Sequence, residues 1–231
     1  MTRQLYELVG ADPEIRFSPY SWRARMALLH KGIDAESRPW RFIEKEALAF
    51  SGQDKVPVLV DGDAVVSDSW EIARYLERTY PQAPSLFGGP QGEAMARFIS
   101  HWCDGVMLPG MITLLVHDIW RCLDPASQGY FRESREKRFG RPLEEIAAGR
   151  EERVDGFRKA LRPMRMVLND YQYLAGASPA YADYAAFGGF MWARSISHFE
   201  LLEPDDPIHG WRERMLDLYG GYARNSMRVA A

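Results

Sequence analysis

The segment Val58-Leu59-Val60-Asp61-Gly62-Asp63-Ala64-Val65-Val66 leaves the chain little choice of local structure. Two short apolar, β-branched runs flank Asp-Gly, a pair that accepts the positive φ angles of a tight hairpin turn. The sequence before it alternates between strand-like and helix-like segments. Leu5–Val9 reads as a strand, followed by a polar loop through Gly10, Asp12 and Pro13. From Tyr20 the period changes, with Trp22, Met26 and Leu29 on one helical face and Gly32 as the stop. Ala35–Trp40 reads as a second strand and Phe42–Phe50 as a short helix. After the hairpin, Ile72, Ala73, Leu76 and Tyr80 mark an amphipathic helix ended by Pro81. The order βαβαββα can close into one small sheet with helices on its faces.

Residues 81–90, PQAPSLFGGP, carry the proline and glycine content of a linker. Beyond it the pattern is helical, over roughly 91–121, 143–169, 180–197 and 207–220. A chain of 231 residues suits one large or two small domains. The expected division is 1–80, a linker at 81–90, and a helical domain at 91–231. The mixed-sign run Arg132–Arg141 reads as a solvated helix face. A net charge of −3 without a basic patch offers no footprint for nucleic acid. The N-terminal residues lack the apolar core of a signal peptide, and no uninterrupted apolar stretch approaches membrane length. A cytoplasmic protein is the expectation. Cys103 and Cys122 have no metal or redox spacing, and the five histidines form no HExxH, so no metal site is expected. P-loop and GxGxxG motifs are both missing from the sequence.

Three motifs remain, each with a structural and a chemical reading. In Phe17-Ser18-Pro19-Tyr20-Ser21, a serine ahead of a helix is an N-cap. The same geometry aims amides and the positive end of the helix dipole at an anion such as a thiolate. In Lys55-Val56-Pro57, proline suits the first residue of a strand. A cis Val56–Pro57 bond would also turn the Val56 backbone outward to pair with an extended peptide. In Asp68-Ser69-Trp70-Glu71, Asp68 with Glu71 fits a capping box. That helix start also seats a carboxylate at Ser69, and Asp68 can accept from an ammonium group. One peptide with an α-amino acid end, a cysteine and a terminal carboxylate would use all three.

Taken together, a serine-started first helix, a Val-Pro before a hairpin, an Asp-Ser-opened third helix and a helical remainder resemble the glutathione transferases. The twelve-residue step from Val56 to Asp68 also matches that family. The resemblance implies an α/β thioredoxin-like N-terminal domain followed by an all-α C-terminal domain. It implies that Ser18 hydrogen-bonds the glutathione sulfur and that Val56, before cis-Pro57, pairs with the cysteinyl backbone. Asp68 and Ser69 would hold the γ-glutamyl end, and Lys55 would approach the glycyl carboxylate. A hydrophobic or aromatic electrophile as second substrate and a homodimer are implied likewise. The wording FSPYSWRARMALLHKGI, DSWEIARYLE and YFRESREKRFGRPLEE is similar to bacterial glutathione-dependent β-aryl etherases and related fungal transferases. SWRARMALLHKGI is also similar to the zeta-class transferase-isomerases.

Several alternatives stay open. Tyr6 on the first strand is a rival activator of the thiol, and Ser21 a weaker one. Trp102, Met107, Met111 and Trp120 are candidates for the electrophile pocket or for plain core. The family's interior Ser/Thr-x-x-Asp box appears as Ala180-Tyr181-Ala182-Asp183, a loss on the order of 1 kcal/mol unless Ser178 replaces the hydroxyl. Glutaredoxins, which resemble the same sheet-and-helix unit, carry Cys-Pro-Tyr-Cys where this chain has Ser18-Pro19-Tyr20-Ser21. Dithiol chemistry is therefore closed to the motif. Transfer, isomerisation and simple glutathione carriage are the functions it leaves.

Overall fold

The computed structural model describes residues 2–230. β1 (Gln4–Leu8), α1 (Pro19–His30), β2 (Glu36–Trp40), β3 (Val58–Asp61), β4 (Ala64–Ser67) and α2 (Ser69–Thr79) follow in the expected order. The short helix expected over Phe42–Phe50 is instead a 3-10 segment, Lys45–Ser51, stopped by Gly52 at φ 67°. The sheet order is β2-β1-β3-β4. β1 and β2 are parallel, which requires a crossover, and α1 provides it. β3 runs antiparallel to β1, and the β3–β4 hairpin pairs Asp61 with Ala64 across the turn. The thioredoxin-like α/β unit is thus formed.

α1 is buried on nearly every side from Ser21 to Leu28, although it contains two arginines. They point in opposite directions. Arg25 pairs with Glu7 of β1 at 2.5 Å, and the Ser37 hydroxyl donates to the same carboxylate. Arg23 donates to the Ala185 carbonyl at 3.0 Å, in a helix of the second half. A buried charge is tolerated only when paired in this way.

The second half is built of helices. α3 (Pro90–Trp102), a π-helical turn (Cys103–Met107) and α4 (Leu108–Cys122) form one continuous stretch, close to the expected 91–121. Its length and mean hydropathy of 1.3 would suit a membrane span, yet Met107 and Met111 are fully buried against other helices of the protein. α5 (Pro125–Phe139), α6 (Leu143–Ala147), α7 (Arg150–Ala160), α8 (Arg162–Asp170), α9 (Tyr181–Ile196) and α10 (Pro207–Gly221) complete the all-α half. The single helix expected over 143–169 is three, because Gly149 turns left-handed at φ 64° and Pro163 opens α8. Leu218, Tyr219 and Gly220 leave helical geometry near the end of α10.

α9 is buried at almost every position, as a helix through the middle of a bundle must be. Two glycines let it approach its neighbours. A Cβ on Gly188 would sit 2.3 Å from the Pro19 carbonyl oxygen, and one on Gly189 would meet Met107 at 2.3 Å. At its N-terminus the hydroxyl of the expected box is missing, and Ser178 does not replace it among the described residues. The other half survives, since Asp183 accepts from the Ala180 amide at 3.1 Å. Asp183 also accepts from Leu174, Ala175 and the Trp211 indole, so its role is to organise buried backbone. Residues 81–90 are pinned. Leu86 is fully buried and accepts from the Tyr181 amide, and Phe87 packs with Trp70 and Tyr181.

Candidate active site

Pro19 fixes the first helical φ of α1 and has no N–H to leave unsatisfied, so the helix starts there. Ser18 before it is extended, and its Oγ accepts from the Ser21 amide at 3.2 Å. This is the expected N-cap. The hydroxyl proton is not used by that bond and remains free to be donated. Ser18 lines a cleft of about 370 Å³. One wall comes from the first half, with Ser18, Tyr20, Lys55 and Val56; the other comes from Asp104, Leu108, Ile112, Arg135 and Trp192.

The Val56–Pro57 bond is cis. Val56 and Lys55 line the cleft beside Ser18, while Pro57 lies buried behind them. Asp68 and Ser69 sit outside the cleft, at the start of α2. They are tied to the same corner by the Asp68 amide, which donates to the Pro57 carbonyl at 3.3 Å. Asp68 caps α2 through Oδ1, which takes the Trp70 and Glu71 amides at 2.8 and 3.2 Å. Its Oδ2 has no partner among the described residues. The left-handed φ of 74° at Asp68, costly for a non-glycine residue, is what turns the chain from β4 into α2. Ser69 is 3% exposed.

The rivals to Ser18 lie elsewhere. Tyr6 packs on Phe50 with ring centres 5.3 Å apart and does not line the cleft. Ser21 is 1% exposed, and its hydroxyl has no hydrogen-bond partner among the described residues. Nor do the protein's own thiols compete. Burial pushes both Cys103 and Cys122 up to about 12, so neither supplies a thiolate at neutral pH.

In the second half one open alternative closes and one expectation needs correcting. Trp102, Met107, Met111 and Trp120 do not line the cleft. α4 instead turns Leu108, Pro109, Ile112 and Ile119 toward it, and the methionines pack into the core. The run Arg132–Arg141 is not wholly a solvated face either. Arg132 pairs outside with Glu136 and Glu144, but Arg135 and Arg138 line the cleft. Sequence reading also missed Tyr20, Arg23 and Asp104. Arg23 stacks under Tyr20 at 4.9 Å and contacts Asp104 at 2.9 Å, off the line of a hydrogen bond. Burial, reinforced by the Asp104 carboxylate, pushes the Tyr20 phenol above its ordinary value, so it stays protonated.

Known proteins share both halves of the chain. Residues 17–79 match the glutathione S-transferase N-terminal domain, and residues 94–213 match the glutathione S-transferase C-terminal domain. A glutathione transferase from Phanerochaete chrysosporium is 26% identical, with a TM-score of 0.77 covering 96% of this chain and 92% of that one. A glutathione S-transferase of Ceriporiopsis subvermispora, solved with glutathione, shares the fold at a TM-score of 0.82 and 24% identity, over 96% and 98% of the chains. A probable maleylacetoacetate isomerase of Caenorhabditis elegans is 37% identical over 87 residues, 36% of this chain and 41% of that one. The chain spans 33–42% of the length of the first curated relatives it matches. With both halves matched and the cleft lying where they meet, the chain belongs to the glutathione S-transferase family.

Proposed function

We propose that this protein binds glutathione along Ser18, Lys55, Val56 and the start of α2, and directs its thiolate at an electrophilic carbon of a hydrophobic or aromatic small molecule. The observation that carries the reading is Ser18: a helix-capping oxygen with a free proton, lining an open cleft in a chain whose own thiols are buried and held protonated. Glutathione's thiol is mostly protonated at neutral pH and reacts once its thiolate is stabilised. Ser18 donates to the sulfur, and the positive end of α1 favours the charge. Val56, at the cis bond, offers backbone to the cysteinyl unit. Lys55 meets the glycyl carboxylate, Asp68 Oδ2 the α-ammonium, and Ser69 the α-carboxylate. Residues 1–80 hold glutathione in this reading, 81–90 connect, and 91–231 supply the wall for the electrophile.

Ether cleavage is the narrower form we favour on the wording of the first helix and α5: the thiolate displaces a phenolate from a β-aryl ether. The similarity to a probable maleylacetoacetate isomerase favours a second reading, in which glutathione adds and is released unchanged. We also infer a homodimer, in which a second copy covers Met95 and Phe98, 61% and 63% exposed on α3. The free thiols Cys103 and Cys122 fit a reducing compartment.

Stopped-flow absorbance on mixing with glutathione tests the core of the reading. A thiolate band in the wild type at neutral pH, lost in Ser18→Ala, is the expected result. Binding without a depressed thiol pKa would make the protein a carrier instead. Product analysis with model β-aryl ethers then separates an adduct from unchanged glutathione.

A further inference from the structure

The α5 wall of the cleft holds a cation, Arg135, with no counterion among the described residues. Arg135 has its guanidinium carbon 4.6 Å from the Phe131 ring centre and 5.9 Å from that of Phe42. Its side-chain hydrogen bond goes to the neutral Ser134 hydroxyl at 2.9 Å. No carboxylate among the described residues lies within ion-pair reach of it, and burial lowers its pKa. Arg138, one turn on, lines the same cleft at the surface, likewise without an acidic partner among the described residues.

The other charged groups of the cleft are occupied. Lys45 lies 3.6 Å from Asp54, Asp104 contacts Arg23, and Lys55 serves glutathione in the reading above. A half-buried, unpaired guanidinium costs free energy that an incoming anion would recover. The surroundings are aromatic: Phe42 packs against Tyr130 and Phe131 with ring centres 6.1 and 5.9 Å apart.

We propose that the electrophile is an aromatic anion, its ring seated against Phe42 and Tyr130 and its carboxylate paired with Arg135, with Arg138 adding charge at the rim. The assignment rests on the transferase reading for its chemistry and on the cleft alone for its charge. Chlorodinitrobenzoate, with the uncharged chlorodinitrobenzene as its control, is a suitable probe. The glutathione sulfur forms a bond to the chlorine-bearing carbon, chloride leaves with the electron pair of its bond, and the thiol proton passes to solvent.

The measurement is the ratio of kcat/KM for the carboxylate over the neutral halide. The ratio should fall about tenfold in Arg135→Gln, as expected for one charge-assisted contact. Arg135→Lys should recover part of it, and added salt should compress it in the wild type. An unchanged ratio overturns the proposal. A rise confined to the KM for glutathione also overturns it, because Arg135 would then hold the tripeptide's own carboxylate. Should neither halide turn over, calorimetric titration with nitrobenzoate and nitrobenzene keeps the two readings apart. Nitrobenzoate binding that Arg135→Gln abolishes upholds the anion site whether or not glutathione is transferred; equal binding of the two compounds sinks it.

Discussion

At Ser18 a single oxygen accepts from the Ser21 amide and borders the cleft with its proton still free. Acceptance and donation are separate capacities of a hydroxyl, so capping the helix and steadying a sulfur are compatible. Replacing Ser18 with alanine removes both. The cap contributes about 1 kcal/mol to stability, whereas one donor aimed at developing charge supplies about a hundredfold in rate. Steady-state kinetics of Ser18→Ala should therefore show kcat down about a hundredfold with a much smaller rise in the KM for glutathione. Unchanged turnover would remove Ser18 from the chemistry; since Tyr6 does not line the cleft, attention would then move to the first-turn phenol of Tyr20, which lines it and stays protonated. The arginines of α1 make a related point. Arg23 and Arg25 stand two residues apart, and the helical turn sends one to α9 and the other to β1.

Between elements, the contact that matters for the site is α1 on α9. Gly188 brings α9 within 2.3 Å of the Pro19 carbonyl, measured from where a Cβ would stand, and Pro19 adjoins Ser18. The atom in the way is backbone, which cannot rotate aside. Gly188→Ala should cost about 1–3 kcal/mol in denaturant unfolding and displace the start of α1, lowering kcat as well. A loss under about 0.5 kcal/mol, the range of a neutral surface change, would show that the approach is looser than described. Gly189 differs, because its close neighbours are the flexible ends of Met107, Leu108 and Met111. The face that α4 shows to the cleft follows from the same geometry. One residue advances the helix by about 100°, so Leu108 and Ile112 reach the cleft while Met107 and Met111 enter the core.

Across the whole molecule, Glu77 fastens the first half to the segment that leaves it. The Lys31 ammonium lies 2.6 Å away, and the Leu86 amide and Ser85 hydroxyl donate to the same carboxylate. Burial opposes ionisation of Glu77, but these donors outweigh it and hold the group below its usual range. The unfolded chain then takes up the proton first. Stability from this group is present above the usual glutamate pKa of about 4.3 and lost as pH falls through the lower folded value. Glu77→Gln should be less stable than the wild type at neutral pH, and the gap should close on acidification; a gap that stays constant through the titration would deny the tie. The proposed dimer is tested at the same scale. Phe98→Glu should sediment as a monomer where the wild type sediments as a dimer, and a monomeric wild type at micromolar concentration would end that proposal.

Local rules account for what was legible in the chain. Asp61-Gly62 made the hairpin, Ser18-Pro19 started α1, Asp68 capped α2, and the order of strands and helices followed from periodicity. Each depends on residues within a few positions of one another, so sequence alone determined them, together with the resemblance that led to the family. The break of 143–169 into three helices was legible too, in Gly149 and Pro163, but the apolar period ran across both. Other features depend on which face of one element meets another far along the chain. The close approach of Gly188 to Pro19, the turn of Arg135 into the cleft beside Phe42, and the retreat of Tyr6 behind Phe50 are of that kind. Helical periodicity ranks faces by polarity and does not say what each will touch. A charged run such as Arg132–Arg141 therefore reads as solvated until the fold folds one of its arginines against aromatic rings, and only the tertiary structure decided that.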